Sequence, residues 1–310
     1  MIERVAPPYS TRRLALELAR DAMLHPGSLR RRLNRHNLQH WRAARGVLVT
    51  CIVCGHEGHL LDEMLDASEW APHRISPAQE TLRCRACGSR LRDRLFAAAV
   101  LDGLVELGVI APNIAALAEV LPSHLRILVI DPASALSPFL AAHPGFVEAV
   151  QEPGASGEVD GTGLHHVDLE SLPFKDKSFH FIVASDALEH VRSLERAHRE
   201  VSRCLREIGM YIFTATYDGG TDHSYLIAPD TGRVLTGQSA LAAVESADLP
   251  AYRLFGRDLL TDLTDAGLSG ELVAVRRPEI GVPYGGVFHA VPSGTHHEHD
   301  GRALPRRRGV

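Results

Sequence analysis

The sequence predicts an α/β protein: a doubly wound layer of mostly parallel strands behind a small N-terminal metal-binding module. Three observations carry that expectation. From about residue 124 onward, short apolar runs alternate with helical stretches. Two Cys-x-x-Cys pairs lie ahead of that texture. The charge is also split: residues 1–96 hold 16 Lys+Arg against 10 Asp+Glu, whereas residues 97–310 hold 17 against 28, so a front of +6 precedes a body of −11. A chain of 310 residues that is 45% hydrophobic and 23% charged has ample material for a core and is not a disordered polypeptide. The expected division is a basic front with its cysteine module over 1–96, an α/β domain over 97–292 and a disordered tail over 293–310.

The front begins with two helical stretches. Ser10 or Thr11 can cap the first, which runs to about Leu24 and ends at His25-Pro26-Gly27. The second, Ser28 to Ala44, carries Arg30, Arg31, Arg32, Arg35 and Arg42. That run reads as a solvated helix face, with an RNA, anionic-lipid or acidic-substrate contact as its alternative. Val47 to Val53 reads as a strand entering the first cysteine pair. Arg92 to Leu107 reads as an apolar helix ended by Gly108. It is too interrupted, by Asp102, Glu106, Pro112 and Asn113, to extend into a membrane span. The start of the chain shows no apolar leader, so a cytoplasmic protein is expected.

In the body, Leu125 to Ile130 is the first buried strand and ends in Asp131-Pro132. Ala135 to Ala142 is a short helix. Phe146 to Val150, Leu164 to Val167 and Phe179 to Ser185 are the next strands. Asp186 to Leu205 is a long helical zone, followed by a strand at Met210 to Thr216. Asp258 to Ala266 is a helix closed by Gly267. Leu272 to Val275 and Val287 to Val291 are late strands placed to pair antiparallel.

Cys51-x-x-Cys54 and Cys84-x-x-Cys87 are each followed by a glycine, Gly55 and Gly88. Two such pairs make a closed four-thiolate site, whose preferred occupant is a structural zinc ion with no open catalytic position. Cys204, on a helical stretch, reads as a small core residue.

Val167-Asp168-Leu169-Glu170-Ser171-Leu172-Pro173-Phe174, Ser178-Phe179-His180 and Ser185-Asp186-Ala187-Leu188-Glu189-His190-Val191 together form a recognisable series. With His198 to Gly209 and Phe255-Gly256-Arg257 through Ala266-Gly267-Leu268, it resembles the class I S-adenosylmethionine-dependent methyltransferases, in the group whose fourth strand ends in an LEHV box. The resemblance covers roughly residues 124–291, and members with zinc-binding fronts resemble the cysteine module too. It implies a seven-stranded Rossmann-like sheet with S-adenosylmethionine beyond the carboxyl ends of its first strands. Carried over, Asp131, Pro132 and Ala133 lie beside the methionine part of the cofactor, and Glu152 faces the ribose hydroxyls. Asp168 and Leu169 meet the adenine, while Ser185 and Asp186 face the sulfonium and the substrate.

The chain departs from that family in three places. The Gly-x-Gly loop after the first strand is Asp131-Pro132-Ala133-Ser134-Ala135-Leu136. His180 stands where Asp is usual, and the Pro-Gly-Gly turn reads Glu207-Ile208-Gly209. Asp186, Glu189 and His190 have a second reading as a divalent-metal set at helical spacing, beside the reading in which they hold the strand-four turn. His223 is positioned as a substrate-side base. Asp186, His190 and His223 are therefore the expected catalytic residues. The expected activity is methyl transfer to a small-molecule or glycan acceptor. A non-catalytic scaffold of the same fold and an RNA methyltransferase are the alternatives, and 5% aromatics with an acidic body weigh against nucleic acid.

Overall fold

A computed structural model of the chain describes residues 48–62, 82–130, 135–215, 217, 221–227, 234–235 and 252–294. The helices expected before residue 47, the Asp131-Pro132-Ala133-Ser134 loop and most of the tail lie outside the described residues.

The front module is built from two short antiparallel ribbons. β1 (Val49–Thr50) pairs with β2 (Glu57–Gly58), and β3 (Leu61–Asp62) pairs with β4 (Leu82–Arg83). The strand expected over Val47 to Val53 is thus limited to two residues, because the chain turns at Cys51 to form the first cysteine knuckle. α1 (Leu91–Glu106) follows and is buried along nearly its whole length. Its sequence, LRDRLFAAAVLDGLVE, is apolar on more than one face, as a helix covered on both sides requires. Gly108, at φ +76°, ends the turn that closes it. α2 (Ile114–Val120) begins at Asn113, whose side chain accepts from the Ala116 N–H.

The body is an eight-stranded sheet. Its strands are β5 (Ile127–Ile130), β6 (Phe146–Gln151), β7 (Ser156–Val159), β8 (His165–Val167), β9 (Phe179–Ala184) and β10 (Leu205–Phe213). β11 (Tyr225–Ile227), β12 (Val234–Leu235) and β13 (Tyr252–Leu254) make a separate three-stranded sheet. β14 (Leu268–Arg277) and β15 (Val282–Pro292) complete the main sheet. The order is β7-β8-β6-β5-β9-β10-β15-β14. β8, β6, β5, β9 and β10 run parallel, β15 is antiparallel to β10, and β14 returns antiparallel to β15. Setting aside β7, an added antiparallel edge strand, this is the expected seven-stranded layer.

The alternation of buried residues explains why the sheet is covered on both faces. Ile127 and Val129 of β5 join one core with α1, α2, α3 (Ser137–Leu140) and the knuckle residues Cys51, Ile52, Val53 and Cys84. Leu128 and Ile130 join the opposite core with α4 (Leu194–Cys204) and α5 (Asp258–Asp265).

Two expectations need correction. The helical zone expected over Asp186 to Leu205 is interrupted. Asp186 takes a left-handed conformation at φ +45°, residues 188–190 form a single 3-10 turn, and α4 begins only after the Ser193 cap. Capping by Ser193, which accepts from the Arg196 N–H, is a stronger local instruction than the continuity of helix formers before it. The Glu207-Ile208-Gly209 segment is not a turn ahead of the strand. It is a bulge inside β10, where pairing jumps from Leu205 opposite Phe179 to Met210 opposite Phe181.

Candidate functional site

Two centres contain most of the described residues singled out in the sequence. The first is the cysteine cluster. In each knuckle the glycine after the second cysteine adopts positive φ, +78° at Gly55 and +71° at Gly88, and donates its N–H to the carbonyl of the first cysteine, Cys51 or Cys84. These turns aim all four sulfurs inward. The Sγ atoms of Cys51, Cys54, Cys84 and Cys87 all lie within 4.8 Å of one another. Cys51 Sγ is 3.8 Å from Cys87 Sγ, and Cys54 Sγ is 3.7 Å from Cys84 Sγ. Those separations suit a tetrahedral thiolate site, in which sulfurs stand about 2.3 Å from the ion. Hydrogen bonding from Cys87, outweighing burial and helped by Ser89, pulls the Cys51 thiol down to about 4. The shared hydrogen bond with Cys51, reinforced by burial, pushes Cys87 up. A metal binds such a set as thiolates. Among the described residues no other group of three or more His, Cys, Asp or Glu ligand atoms gathers in this way.

That finding corrects the second reading of the Asp186, Glu189 and His190 set. Asp186 precedes the 3-10 turn in a left-handed conformation, Glu189 is buried at 1% exposure, and His190 is exposed. Without a regular helix their spacing no longer places them on one face, so they do not converge on an ion.

The second centre is the line of carboxyl strand ends. Asp168 and Leu169 follow β8, and the Asp168 carboxylate and the Leu169 N–H already have intramolecular partners. Asp168 accepts from the Gly154 and Glu170 N–H groups at 2.7 and 2.9 Å. The Leu169 N–H donates to the side chain of Gln151 at 2.8 Å. Glu152, just past β6, is an exposed carboxylate whose Oε2 lies 2.5 Å from His166 Nδ1. His166 also faces Asp160 at 3.6 Å. Glu152, Gly154, Glu158, Asp160 and His166 line an open cleft of about 470 Å³ at this edge of the sheet.

At the end of β9, the Ser185 hydroxyl is buried and without a hydrogen-bond partner among the described residues. Asp186 donates its N–H to Thr214 Oγ1 and accepts that hydroxyl's proton through Oδ1 at 2.8 Å. Arg92, in the first turn of α1, approaches Asp186 Oδ2 at 3.5 Å. Next to it, Asp93 accepts from the Ala135 N–H in the loop after β5, 3.4 Å away, and from the Arg90 N–H at the helix cap.

Residues 140–213 match the family model described as a methyltransferase domain. The match falls on the β6-to-β10 half of the sheet, whose strand order is already fixed by pairing. That part of the α/β layer is similar to a methyltransferase domain. No curated protein matches the sequence. Among solved structures, the domain is similar to an S-adenosylmethionine-dependent methyltransferase from Mesorhizobium loti at 19% identity over 56% of this chain and 95% of that one, TM-score 0.34. It is similar to a sugar N-methyltransferase from Streptoalloteichus sp. at 15% identity over 58% and 85%, TM-score 0.35. A candidate sarcosine dimethylglycine methyltransferase from Galdieria sulphuraria matches at 13% identity and TM-score 0.34, with 58% of this chain aligned to 64% of that one.

Within the α/β layer, Glu152, Asp168, Leu169, Ser185 and Asp186 stand at or just past the ends of β6, β8 and β9. Asp131, Pro132 and Ala133 lie outside the described residues. His223 is 89% exposed in its side chain and faces Asp258 at 3.7 Å. Its neighbour Ser224 ties that loop to the start of α5, donating to Asp258 and accepting from the Gly256 N–H. No described contact joins His223 to Asp186 or His190.

The residues that sequence reasoning missed are Arg92, Asp93, Gln151, His166 and Thr214. Only the first two left a signal: charged residues at the start of an otherwise apolar helix. His180, in place of the usual Asp, is a buried acceptor for the Arg126 N–H, and burial lowers it to about 4. Cys204 is buried, and burial raises its thiol to about 11, as suits a core residue.

Proposed function

We propose that the protein transfers a methyl group from S-adenosylmethionine to a small acceptor, with Glu152, Asp168, Leu169, Ser185 and Asp186 forming the cofactor side of the site. The observation that carries this reading is the buried, unpartnered hydroxyl of Ser185 at the end of the central strand β9. A buried hydroxyl left unsatisfied costs about 1–3 kcal/mol, which a ligand at the strand ends relieves. The left-handed Asp186 beside it supports the same reading, because such strain in a non-glycine residue gathers at functional turns.

The sulfonium cofactor, once bound, supplies an already activated methyl group for in-line displacement. The chain's own work is then binding, alignment and exclusion of water. Glu152 offers a carboxylate to ribose hydroxyls, for which it must exchange its His166 contact. Asp168 and the Leu169 N–H are presented on a rigid turn, and Gln151 must yield the Leu169 N–H for a base to take it. Asp186, held by Thr214 and Arg92, orients groups on the acceptor side. His223 is the substrate-side base in this proposal, supported by its place just ahead of β11 on a segment that Ser224 ties to the start of α5, and His190 shapes the acceptor side of the turn. Asp131, Pro132 and Ala133 complete the proposed cofactor contacts.

We also propose that Cys51, Cys54, Cys84 and Cys87 hold a structural zinc ion, a reading supported by the four-cysteine donor set and its closed geometry. The acceptor is a small molecule or glycan in a cytoplasmic setting. No described helix is long and apolar enough to cross a membrane. The three departures from the family motif favour one alternative, a scaffold that keeps the fold without catalysis. Titration with S-adenosylhomocysteine, the demethylated cofactor, separates the two: the enzyme binds it, and the scaffold does not.

A further inference from the structure

Three consecutive residues in the first turn of α1 face three parts of the molecule. Arg94 is fully buried. Its guanidinium donates to the Leu82 carbonyl at 3.0 Å and the Ser89 carbonyl at 2.5 Å, both flanking the second cysteine knuckle. A third hydrogen bond reaches the Gly281 carbonyl in the β14–β15 connection at 3.0 Å. Asp93 turns to the loop after β5 through the Ala135 N–H, and Arg92 turns to Asp186 after β9. The same helical turn therefore touches the cysteine module, Ala135 just ahead of α3 and Asp186 just after β9.

The charge at Arg94 gives this arrangement a direction. Among the described residues no salt bridge joins Arg94 to a carboxylate. Its favourable electrostatic neighbours are Cys51, Cys84, Asp93 and Cys87. Burying an uncompensated guanidinium is costly. Four thiolates around a divalent ion carry a net charge of about −2, which compensates it, whereas four neutral thiols do not. Gly281 marks how closely the guanidinium is held: at φ +77°, a Cβ there would lie 2.8 Å from Arg94 Nε.

We propose that the first turn of α1 links metal loading at Cys51, Cys54, Cys84 and Cys87 to cofactor affinity at the strand ends. Arg94 responds to the metal–thiolate centre, and Asp93 and Arg92 pass its position to the loops after β5 and β9. The proposal rests on the methyltransferase reading for its cofactor, and linkage requires it to be reciprocal: the cofactor must tighten metal binding by the factor by which metal tightens cofactor binding.

The test uses the full chain, zinc-loaded and chelator-stripped, with two readouts. Calorimetry with S-adenosylhomocysteine is expected to show affinity falling about tenfold on zinc removal, within the usual range for coupled sites. Hydrogen exchange is expected to rise over 91–94 and at 135–140 and 186–190, while the distant β6–β8 pair stays protected. Asp93→Ala, with zinc content verified at one equivalent by mass spectrometry, is expected to reduce the affinity ratio to about twofold or less. If zinc removal changes neither affinity nor exchange in those segments, the linkage is overturned. Uniform loss of protection that includes 146–151 also overturns it, since metal would then hold the fold as a whole. A zinc-loaded chain that binds no S-adenosylhomocysteine defeats the methyltransferase reading instead. In that case the exchange readout still decides whether α1 responds to metal.

Discussion

The two flanks of the sheet handle charge in opposite ways. On the α1 flank, charge is buried: Arg94 is fully enclosed and Asp93 is 2% exposed, with its carboxyl pushed up by burial. Their hydrogen-bond partners are backbone groups, some nearby, such as Ser89 and Arg90, and some remote, such as Ala135 and Gly281. On the β6–β8 flank, Glu152, Asp160 and His166 form their network at the surface, brought together by neighbouring strand ends and open to water. Buried charge with remote partners makes the first flank a matter of fold integrity. Exposed charge with adjustable partners leaves the second free for the proposed ligand binding.

Breaking the first flank should produce the largest effects. Cys84→Ser removes one thiolate from the proposed centre. We expect loss of stoichiometric zinc and a lowered melting midpoint with the β6–β8 edge still folded, because the knuckle carbonyls that cap α2, Ile52 to Ile114 N–H and Val53 to Ala115 N–H, lose their anchor. Metal analysis with circular-dichroism melts checks this, and a full-stability variant with no bound metal would contradict it. Arg94→Met strands three buried carbonyls and should cost about 3–5 kcal/mol, read as a lowered urea midpoint at constant slope.

A smaller effect comes from acid. Burial depresses His198, at the α4 face of the opposite core, to about 4 from the ordinary 6.5. The unfolded chain binds that proton first, so stability should fall as pH drops from about 6.5 to about 4. His198→Phe, which keeps an aromatic ring in the pocket beside Phe213, should flatten that slope. Urea midpoints across this window provide the measurement, and an unchanged slope in the variant would refute the assignment.

The second flank should yield the mildest changes in stability. Glu152→Ala is expected to weaken S-adenosylhomocysteine binding about tenfold, within the energy of a lost charged hydrogen bond, while leaving the urea midpoint nearly unchanged. Glu152 raises the His166 pKa by hydrogen bonding, so this pair is intact below the ordinary histidine value and lost as pH rises through the raised one. Neutral His166 releases Glu152, and cofactor affinity should therefore increase with pH across that titration. His166→Gln should remove the pH dependence, measured by calorimetry at several pH values. A persistent dependence in the variant would exclude His166 as its source.

The same contrast explains what was legible in the sequence. The cysteine module was readable because ligand identity, Cys-x-x-Cys spacing and the trailing glycines are all local. The sheet was readable because Ile127–Ile130 and Phe179–Ala184 alternate between two apolar cores and so appear as unbroken hydrophobic runs. The region after β9 was misread as continuous helix, since nothing local announces the left-handed Asp186 that Thr214 stabilises from 28 residues away. Likewise, Glu152 was legible as a strand-end carboxylate, but its partner His166 depends on the β6–β8 pairing. Arg94 stood inside a visible helix, yet its three acceptors come from β4, the second knuckle and the β14–β15 connection. Long-range partners are properties of topology, and a single sequence displays them only after the strands are ordered.

Calorimetric titration of the zinc-loaded, full-length chain with S-adenosylhomocysteine tests the proposed activity at its root. The account predicts one site per chain with micromolar affinity, weakened by Glu152→Ala. Absence of heat up to millimolar ligand, from a chain that is folded and carries its zinc, would contradict it and leave the strand ends without a cofactor to hold.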